Sequence, residues 1–292
     1  MAISDLSLFS SMAFALDNTT SHIQDIQQSL ASGTRVNVPS DDLVNYGQAQ
    51  LLRARASAVK NDINTGQQVQ GLLTSADNSL ASVGNWLNSA LSIATQGSDA
   101  STNASQMTTM GNQVDSMLSQ VLGEANTEYA GAYMFGGSQT TNPPFDAVGN
   151  YSGDALTNSA TFSDNTAIQT TFNGQAIFGD PANGVIGALT ALKNALLAGN
   201  KPATAATLSQ LQTAVQNVAD ARGNIGINQI SLQTFITNAN DQSTTLQTSI
   251  SNLVDVDVAH AALDQQQSLL QEQALVSMAS GLGKIPLVNI LA

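Results

Sequence analysis

The chain has 292 residues and a formal net charge of −13, only 10% of its residues are charged, and cysteine is absent. An acidic surface repels nucleic acid and anionic membranes, because both attract proteins mainly through lysine and arginine. The lack of cysteine excludes a disulfide framework and thiolate-ligated metal sites. Ser, Thr, Asn, Gln and Ala replace the missing charge, which favours close packing against other copies.

The N-terminal stretch carries none of the signals that direct a chain to a membrane. No Lys or Arg precedes Arg35, and Asp5 and Asp17 interrupt the apolar residues. A secretory signal needs a basic region before an unbroken apolar core, and a membrane-spanning helix needs roughly 18 successive apolar residues. We therefore predict no membrane insertion, and an export route that does not use such a signal.

Heptad spacing predicts three helices in the first half of the chain. The first ends near residue 32, and its repeated apolar positions are Phe9, Leu16, Ile23 and Leu30. The second runs from about residue 41 to 95, with an apolar face made of Leu52, Val59, Val69, Leu73, Ala76, Leu80, Val83, Leu87, Ala90 and Ala94. The third runs from about residue 103 to 130.

A turn separates the first two of these helices. Gly33 suits a helix C-terminus, and Pro39 prevents the helix from continuing. Ser40 is predicted to cap the next helix, with Asp41 and Asp42 in its first turn, where negative charge is favourable.

The composition changes near residue 133, where Phe, Gly, Pro, Asn and Asp become frequent. The segments 167–172 and 175–178, joined by Asn173-Gly174, predict a β-hairpin. A helix is expected near residues 185–198. These features predict a small β-containing domain over residues 133–200.

Helical periodicity resumes near residue 203 and is predicted to continue until Pro286 stops it. Its apolar positions are Leu232, Phe235, Ala239, Leu246, Leu253, Val256, Leu263 and Leu270. The predicted fold is mainly α, with long N- and C-terminal helices paired in a coiled-coil-like bundle and a small β-containing inserted domain. The expected parts are an N-terminal assembly segment (1–40), two halves of a helical bundle (41–132 and 201–250), the inserted outer domain (133–200) and a C-terminal assembly segment (251–292).

The apolar faces of the two outermost segments are narrow and carry polar residues such as Thr19, His260 and Gln267. A narrow apolar face buries too little to offset the ordering of the backbone, which costs roughly 1–2 kcal/mol per residue. We expect these segments to be disordered in the monomer and to fold when they pack on neighbouring subunits.

Both ends of the chain resemble the bacterial flagellin family. Residues 22–42 contain a helix, a Ser-Gly-basic turn and an Asn-x-x-x-Asp-Asp segment, as the N-terminal flagellin signature does. Residues 250–292 contain Asp-Val-Asp-Val-Ala and a closing Pro-Leu, which are similar to the flagellin C-terminus. Because both matches occur in the correct order around an insertion, the chain is identified as a member of this family.

One motif is similar to the hook-filament junction proteins of the family, hook-associated protein 3. Its residues are Tyr133, Phe135, Gly136, Gly137, Pro144 and Phe145. Residues 175–179 further resemble a short strand of those proteins. Leu43 stands where a proline is frequent and His260 where an acidic residue is frequent, so a minor flagellin stays an alternative.

The resemblance implies a structural protein that is exported unfolded through the flagellar type III apparatus and is located at the hook-filament junction of the flagellum. The implied partners are other copies of the chain, the other hook-filament junction protein, flagellin, and an export chaperone that covers the C-terminal helix. Two alternatives are flagellin of the filament itself, and an exported adhesin that recognises a host surface through residues 133–200.

We expect the assembly interface to contain apolar and charged residues from both ends. They are Phe9, Leu16, Ile23, Leu30, Arg35, Asp41, Asp42, Leu246, Leu253, Asp257, Leu263 and Leu270. Ion pairs from Asp255 or Asp257 to Arg35, Arg53 or Arg55 of a neighbour are one interpretation, and ordinary solvated charge is the other.

The sequence offers little for catalysis. His22 and His260 are the two histidines, and they would meet if the terminal helices pair, with Asp257 on the same helical face as His260. A catalytic zinc usually needs three protein ligands, so ordinary polar positions are the favoured interpretation. The motifs His-Glu-x-x-His, Gly-x-Ser-x-Gly and Gly-x-x-x-x-Gly-Lys do not occur. We predict no enzymatic activity, no cofactor and no metal.

Overall fold

A computed structural model describes residues 2–282 of the chain. The elements are α1 (Ala2–Ser32), α2 (Leu43–Ser98), α3 (Ala104–Ala125), β1 (Glu128–Tyr129), β2 (Ala132–Tyr133), β3 (Ser159–Thr161), β4 (Ala167–Gln169), α4 (Gly174–Phe178), α5 (Gly184–Leu197), α6 (Lys201–Val254) and α7 (Val258–Leu282). The prediction of a mainly helical chain with a small β-containing region is confirmed. The described residues divide into a terminal unit (2–57 and 243–282) and a central unit (58–242).

The predicted apolar face of α2 forms much of the core of the central unit. Its buried residues are Val59, Val69, Leu73, Ala76, Leu80, Val83, Leu87, Ala90 and Ala94. Helix α6 lies against this face, and a methyl group at Gly66 would come within 3.0 Å of Ile236. A salt bridge of 2.8 Å between Asp77 and Arg222 also joins the two helices. The heptad pattern therefore predicted this helix pairing correctly.

Helices α3 and α5 pack closely on each other in the central unit. The side chain of Asn103 caps α3 by accepting the N–H of Gln106 at 2.9 Å, and Gln106 returns a hydrogen bond to the cap. Gly111 lets Leu197 approach, because a Cβ there would lie 2.7 Å from a Leu197 methyl. The predicted helix near 185–198 is confirmed as α5.

The predicted hairpin at 167–178 is wrong. The side chain of Asn173 accepts the N–H of Ala176 at 3.2 Å and caps the short helix α4. Asparagine suits a helix N-cap as well as a tight turn, and here the cap is formed. Strand β4 pairs instead with β3 in antiparallel register, with Ser159 opposite Gln169. The expectation that residues 175–179 form a short strand is also wrong, because residues 174–178 form α4.

Four phenylalanine rings form the core of the inserted region. Phe178 lies edge-on to Phe135 and to Phe145, with ring centroids 5.1 and 5.6 Å apart. Phe172 lies 6.1 Å from Phe135. Phe162 is directed elsewhere, and its ring centroid lies 4.2 Å from that of Phe235 on α6. The aromatic residues that marked the change in composition thus hold the insertion together and attach it to the helices.

Candidate assembly surface

The turn after α1 is built by carboxylates that accept backbone N–H groups. Asp41 accepts hydrogen bonds from Val38 and Asn37 at 3.0 and 2.8 Å, and these bonds hold its pKa below the ordinary value. Asp42 accepts the N–H of Asn45 at 3.0 Å, which lowers its pKa in the same way. The predicted cap at Ser40 is therefore wrong. Asp42 caps α2, because its carboxylate accepts the N–H of Asn45, one of the free N–H groups in the first turn of that helix.

Backbone hydrogen bonds attach this turn to the end of α6. The N–H groups of Arg35 and Val36 donate to the carbonyl of Val254 at 2.7 and 3.3 Å, and the N–H of Val256 donates to Gly33 at 3.1 Å. The guanidinium of Arg35 also donates to the carbonyl of Leu253 at 3.2 Å. Residues from both ends of the chain therefore form one structure.

A small apolar core supports this attachment. Val36, Ala49 and Val254 are buried in it, and Tyr46, Ile250 and Leu253 pack against it. Arg35 lies at its edge, 3.5 Å from Asp42. Arg35 and Asp42, both predicted as assembly residues, thus meet within one chain.

The C-terminal helix is interrupted, which the periodicity did not predict. Helix α6 ends at Val254, and Asp257 caps α7 by accepting the N–H groups of Ala259 and His260 at 3.0 and 3.1 Å. Ser251 donates a hydrogen bond to the carboxylate of Asp255. Aspartates compete with the helix for backbone N–H groups, so two of them at this point favour a break. The predicted stop at Pro286 lies outside the described residues.

Helices α1 and α7 pack on each other but leave many apolar side chains in solvent. Ile23 and Leu246 are buried, and Leu16, Leu30 and Leu253 are half-buried. Phe9, Leu263 and Leu270 are 57%, 61% and 60% exposed. The periodicity missed further exposed apolar residues, which are Phe14, Leu269, Val276 and Met278. They lie beside the heptad positions, so a search for a wide apolar face would have found them.

A groove of about 440 Å³ lies between α1, the turn and α7. Ile26, Val256 and Ala261 contribute its apolar part. Its titratable residues are His22, Asp25, Arg35, Asp41, Asp257, His260 and Asp264. The two histidines line one groove, as expected from helix pairing, and His260 contacts Asp264 at 3.0 Å. Within residues 2–282, no group of three His, Cys, Asp or Glu side chains is placed to hold a metal ion.

The motif predicted at 133–145 lies in the central unit and is structural. Asn126 holds the backbone of Phe145 with two hydrogen bonds of 2.9 Å, one to its N–H and one to its carbonyl. Gly137 has a φ of +71°, and a Cβ at Gly136 would lie 2.1 Å from the Gln139 carbonyl. The buried residues of this motif are Phe135, Gly136, Gly137, Pro144 and Phe145, whereas Tyr133 is half-buried.

The turn at this motif depends on a residue that the sequence did not single out. The carboxylate of Asp154 accepts the N–H of Ser138 at 2.7 Å and also the Ser138 hydroxyl. The hydroxyl bond and the backbone bond lower the pKa of Asp154. Its signal in the sequence is only an aspartate near glycine, which occurs in many turns.

Models of known families match both ends of the chain. The bacterial flagellin N-terminal helical region matches residues 3–140, and the bacterial flagellin C-terminal helical region matches residues 208–291. The chain belongs to the bacterial flagellin family. The two matches bound the stretch that contains β3, β4, α4 and α5, so this stretch lies between the two helical regions that match the flagellin family.

Solved structures share the fold. FlgL of Bacillus cereus is 24% identical with a TM-score of 0.61, over 70% of this chain and 99% of that one. Hook associated protein-3 of Legionella pneumophila is 14% identical with a TM-score of 0.62, over 70% and 98%. The flagellar junction protein FlgL of the same organism is 15% identical with a TM-score of 0.59, over 71% and 100%. A search of curated protein sequences finds no match.

A helix that spans a membrane must be long and strongly apolar. In the part of the chain that the structure describes, no helix meets both requirements.

Proposed function

We propose that this chain is a structural subunit of the bacterial flagellum that forms the junction between hook and filament. The observation that carries the proposal is the terminal unit, which exposes Phe9, Leu263 and Leu270 to solvent. Large exposed apolar patches are typical of contacts with other proteins, and the helices that carry these side chains, α1 and α7, pack on each other. The likeness to two proteins described as junction or hook-associated proteins, over nearly all of their length, supports the choice of the junction.

Polymerisation occurs through the terminal helices. The assembly residues from both ends lose contact with water when subunits pack, and burial of apolar surface contributes about 25 cal/mol per Å². Helices α1 and α7 already form within one chain, and we infer that they become fully ordered when they pack on neighbouring subunits. Association then supplies the free energy that ordering the backbone requires.

The partners in this proposal are other copies of the chain, the second hook-filament junction protein, and flagellin. An export chaperone covers the C-terminal helix before secretion through the flagellar type III apparatus. Residues 133–200 face outward. The subunit performs no catalysis and takes no cofactor, and its contribution is a mechanical joint between two tubes.

A flagellin of the filament is the second candidate. Leu43 and His260 depart from the family pattern, and these departures give no preference for the junction over the filament. An exported adhesin is a third candidate, in which residues 133–200 bind a host surface.

Immunogold electron microscopy of intact flagella, with antibody against residues 138–200, tests the proposal. A band of gold where hook meets filament is the expected result. Gold along the whole filament would establish a filament flagellin. Flagella without gold would contradict both flagellar candidates and favour the adhesin. A strain that lacks the gene is the control for antibody specificity.

A further inference from the structure

The first turns of α2 expose an apolar stripe that ends in an arginine. Val44 and Leu51 are 68% and 74% exposed. Arg55 follows Leu51 by four residues, so the three side chains lie along one face of the helix. Nothing in the described part of the terminal unit covers this face, whereas Ala49 on another face is buried in the small core.

Arg55 has no carboxylate within reach in the described chain. Three other cations pair within the molecule, namely Arg35 with Asp42, Lys193 with Asp115 and Arg222 with Asp77. No acidic group of residues 7–280 lies within 4.0 Å of the Arg55 guanidinium. Arg53, Lys60 and Lys201 also lack a carboxylate partner in the described chain, and among these cations Arg55 is the one that continues the apolar stripe of Val44 and Leu51.

The groove between α1 and α7 has the complementary chemistry. Its apolar part, formed by Ile26, Val256 and Ala261, suits the methylene stem of a long side chain. Four aspartates and Arg35 line it, and Arg35 pairs with Asp42 of its own chain. Two of the aspartates, Asp41 and Asp257, already bind backbone N–H groups of their own chain. Asp25 makes no hydrogen bond or ion pair within the described residues, and Asp264 contacts only His260.

We infer that this groove receives Arg55 from a second copy of the chain, with its guanidinium against Asp25 and Asp264 and its stem on Ile26 and Ala261. Arginine suits this arrangement because its planar head can meet two carboxylates while its stem stays in apolar contact. Val44 and Leu51 of the incoming copy then cover apolar residues beside the groove. The inference rests on the proposed polymerisation, and it names the partner of the assembly surface.

The proposed contact joins the groove of one copy to the α2 stripe of the next, and in a polymer each pair of neighbours makes it once. Such a heterologous contact leaves a free stripe and a free groove after each addition. Repeated addition therefore generates a ring or a helical array rather than a closed dimer. This geometry agrees with a subunit that extends a tubular structure.

Charge reversal tests the contact, and Arg53 supplies a matched control. Arg53 is also exposed and unpaired in the described chain, but it lies two residues from Arg55 and thus on another face of the same helix. We expect Arg55→Glu to lower the assembled fraction roughly tenfold, since like charges then face each other. Arg53→Glu should leave assembly near the wild-type level. Circular dichroism of each variant monitors folding.

A double charge reversal tests whether Arg55 and Asp25 contact each other directly. Asp25→Lys alone should lower assembly, and Arg55→Glu with Asp25→Lys in one chain should restore much of it, because each copy carries both halves of the contact. Equal effects of Arg55→Glu and Arg53→Glu, or no rescue in the double variant, would overturn the contact. Wild-type gold labelling at the junction in that case would leave the proposed function intact, so the two failures are distinguishable.

The absence of cysteine allows a direct measurement of proximity. Asp25→Cys and Arg55→Cys chains are mixed under assembly conditions and treated with a short bis-maleimide. A crosslinked product of both chains is expected, and the matched mixture with Arg53→Cys should give much less. Equal yields from the two mixtures would contradict the assignment of Arg55 to the groove.

Discussion

The central and terminal units have similar heptad patterns, but the apolar residues are buried in one unit and exposed in the other. In the central unit, the α2 positions Leu73, Leu80 and Leu87 are completely buried against the same chain. In the terminal unit, Leu263 and Leu270 recur at the same spacing and are mostly exposed. The same seven-residue period thus marks intramolecular packing in one unit and solvent-exposed apolar surface in the other. Periodicity identifies the helix face but does not identify what covers it.

The largest effect is expected from a change in the aromatic core of the central unit. Phe135→Ala removes a completely buried ring between Phe172 and Phe178, and should lower the free energy of unfolding by about 3–5 kcal/mol. Urea titration followed by circular dichroism measures this loss. Leu156→Ala, at an exposed position of the same unit, is the control and should change stability by less than about 0.5 kcal/mol. A loss of less than about 1 kcal/mol in Phe135→Ala would contradict the assigned core.

The opposite result is expected for the exposed positions of the terminal unit. Leu263→Ser combined with Leu270→Ser should change monomer stability by less than about 0.5 kcal/mol but lower assembly roughly tenfold or more. Gold labelling of flagella and thermal unfolding of the monomer measure the two effects. Leu156→Ser carries the same chemical change in the central unit and should assemble normally. Normal assembly of the double variant would remove the distinction between the units.

The helix break at residues 255–257 gives a smaller and more local effect. Asp257→Ala removes the cap of α7 and should cost about 1 kcal/mol of helix stability. Hydrogen exchange at Ala259 and His260 should become faster. Asp257→Asn keeps an acceptor oxygen and should behave nearly as the wild type. Equal exchange rates in all three proteins would show that the cap does not hold the start of α7.

The smallest expected effect is on the pH dependence of stability, and it tests the carboxylates of the turn after α1. The pKa values of Asp41 and Asp42 are lowered in the folded state by hydrogen bonds from backbone N–H groups. Their contribution to stability is therefore complete above the ordinary pKa near 3.8 and is lost as pH falls through the lower folded-state pKa. Asp41→Ala should flatten the decline of the melting temperature below about pH 4. The exposed Asp17→Ala is the control, and an unchanged decline in Asp41→Ala would contradict the role of that carboxylate.

Helix positions could be predicted from the sequence because burial in this protein follows a regular period. The α2 face from Val59 to Ala94 is an example, since each apolar residue lies where the period requires. The sequence does not show so well which polar side chain binds the free backbone N–H groups at a helix end or turn. Asn173 can serve a turn or a helix cap, and Asp42 and Ser40 are both suitable N-caps. The choice in each case depends on which N–H group the folded chain brings near the side chain.

The candidate assembly surface could be predicted only in outline. The spacing identified Phe9, Leu263 and Leu270, but the groove requires α1, the turn and α7 to be placed together. Arg35 illustrates the difficulty, because its N–H and its guanidinium bind carbonyl groups at the end of α6, more than 200 positions later in the sequence. Contacts over such separations leave no local pattern in the sequence.

The attachment of the turn to Val254 and Val256 also has a consequence for incomplete chains. A truncated product that ends before residue 250 keeps α1 but lacks the carbonyl groups and the small core that hold the turn. It also lacks the residues after Val254 that line the groove, so we expect it not to receive the arginine proposed to come from a neighbour. In the proposed assembly, only a chain that contains both regions would therefore add to the growing structure.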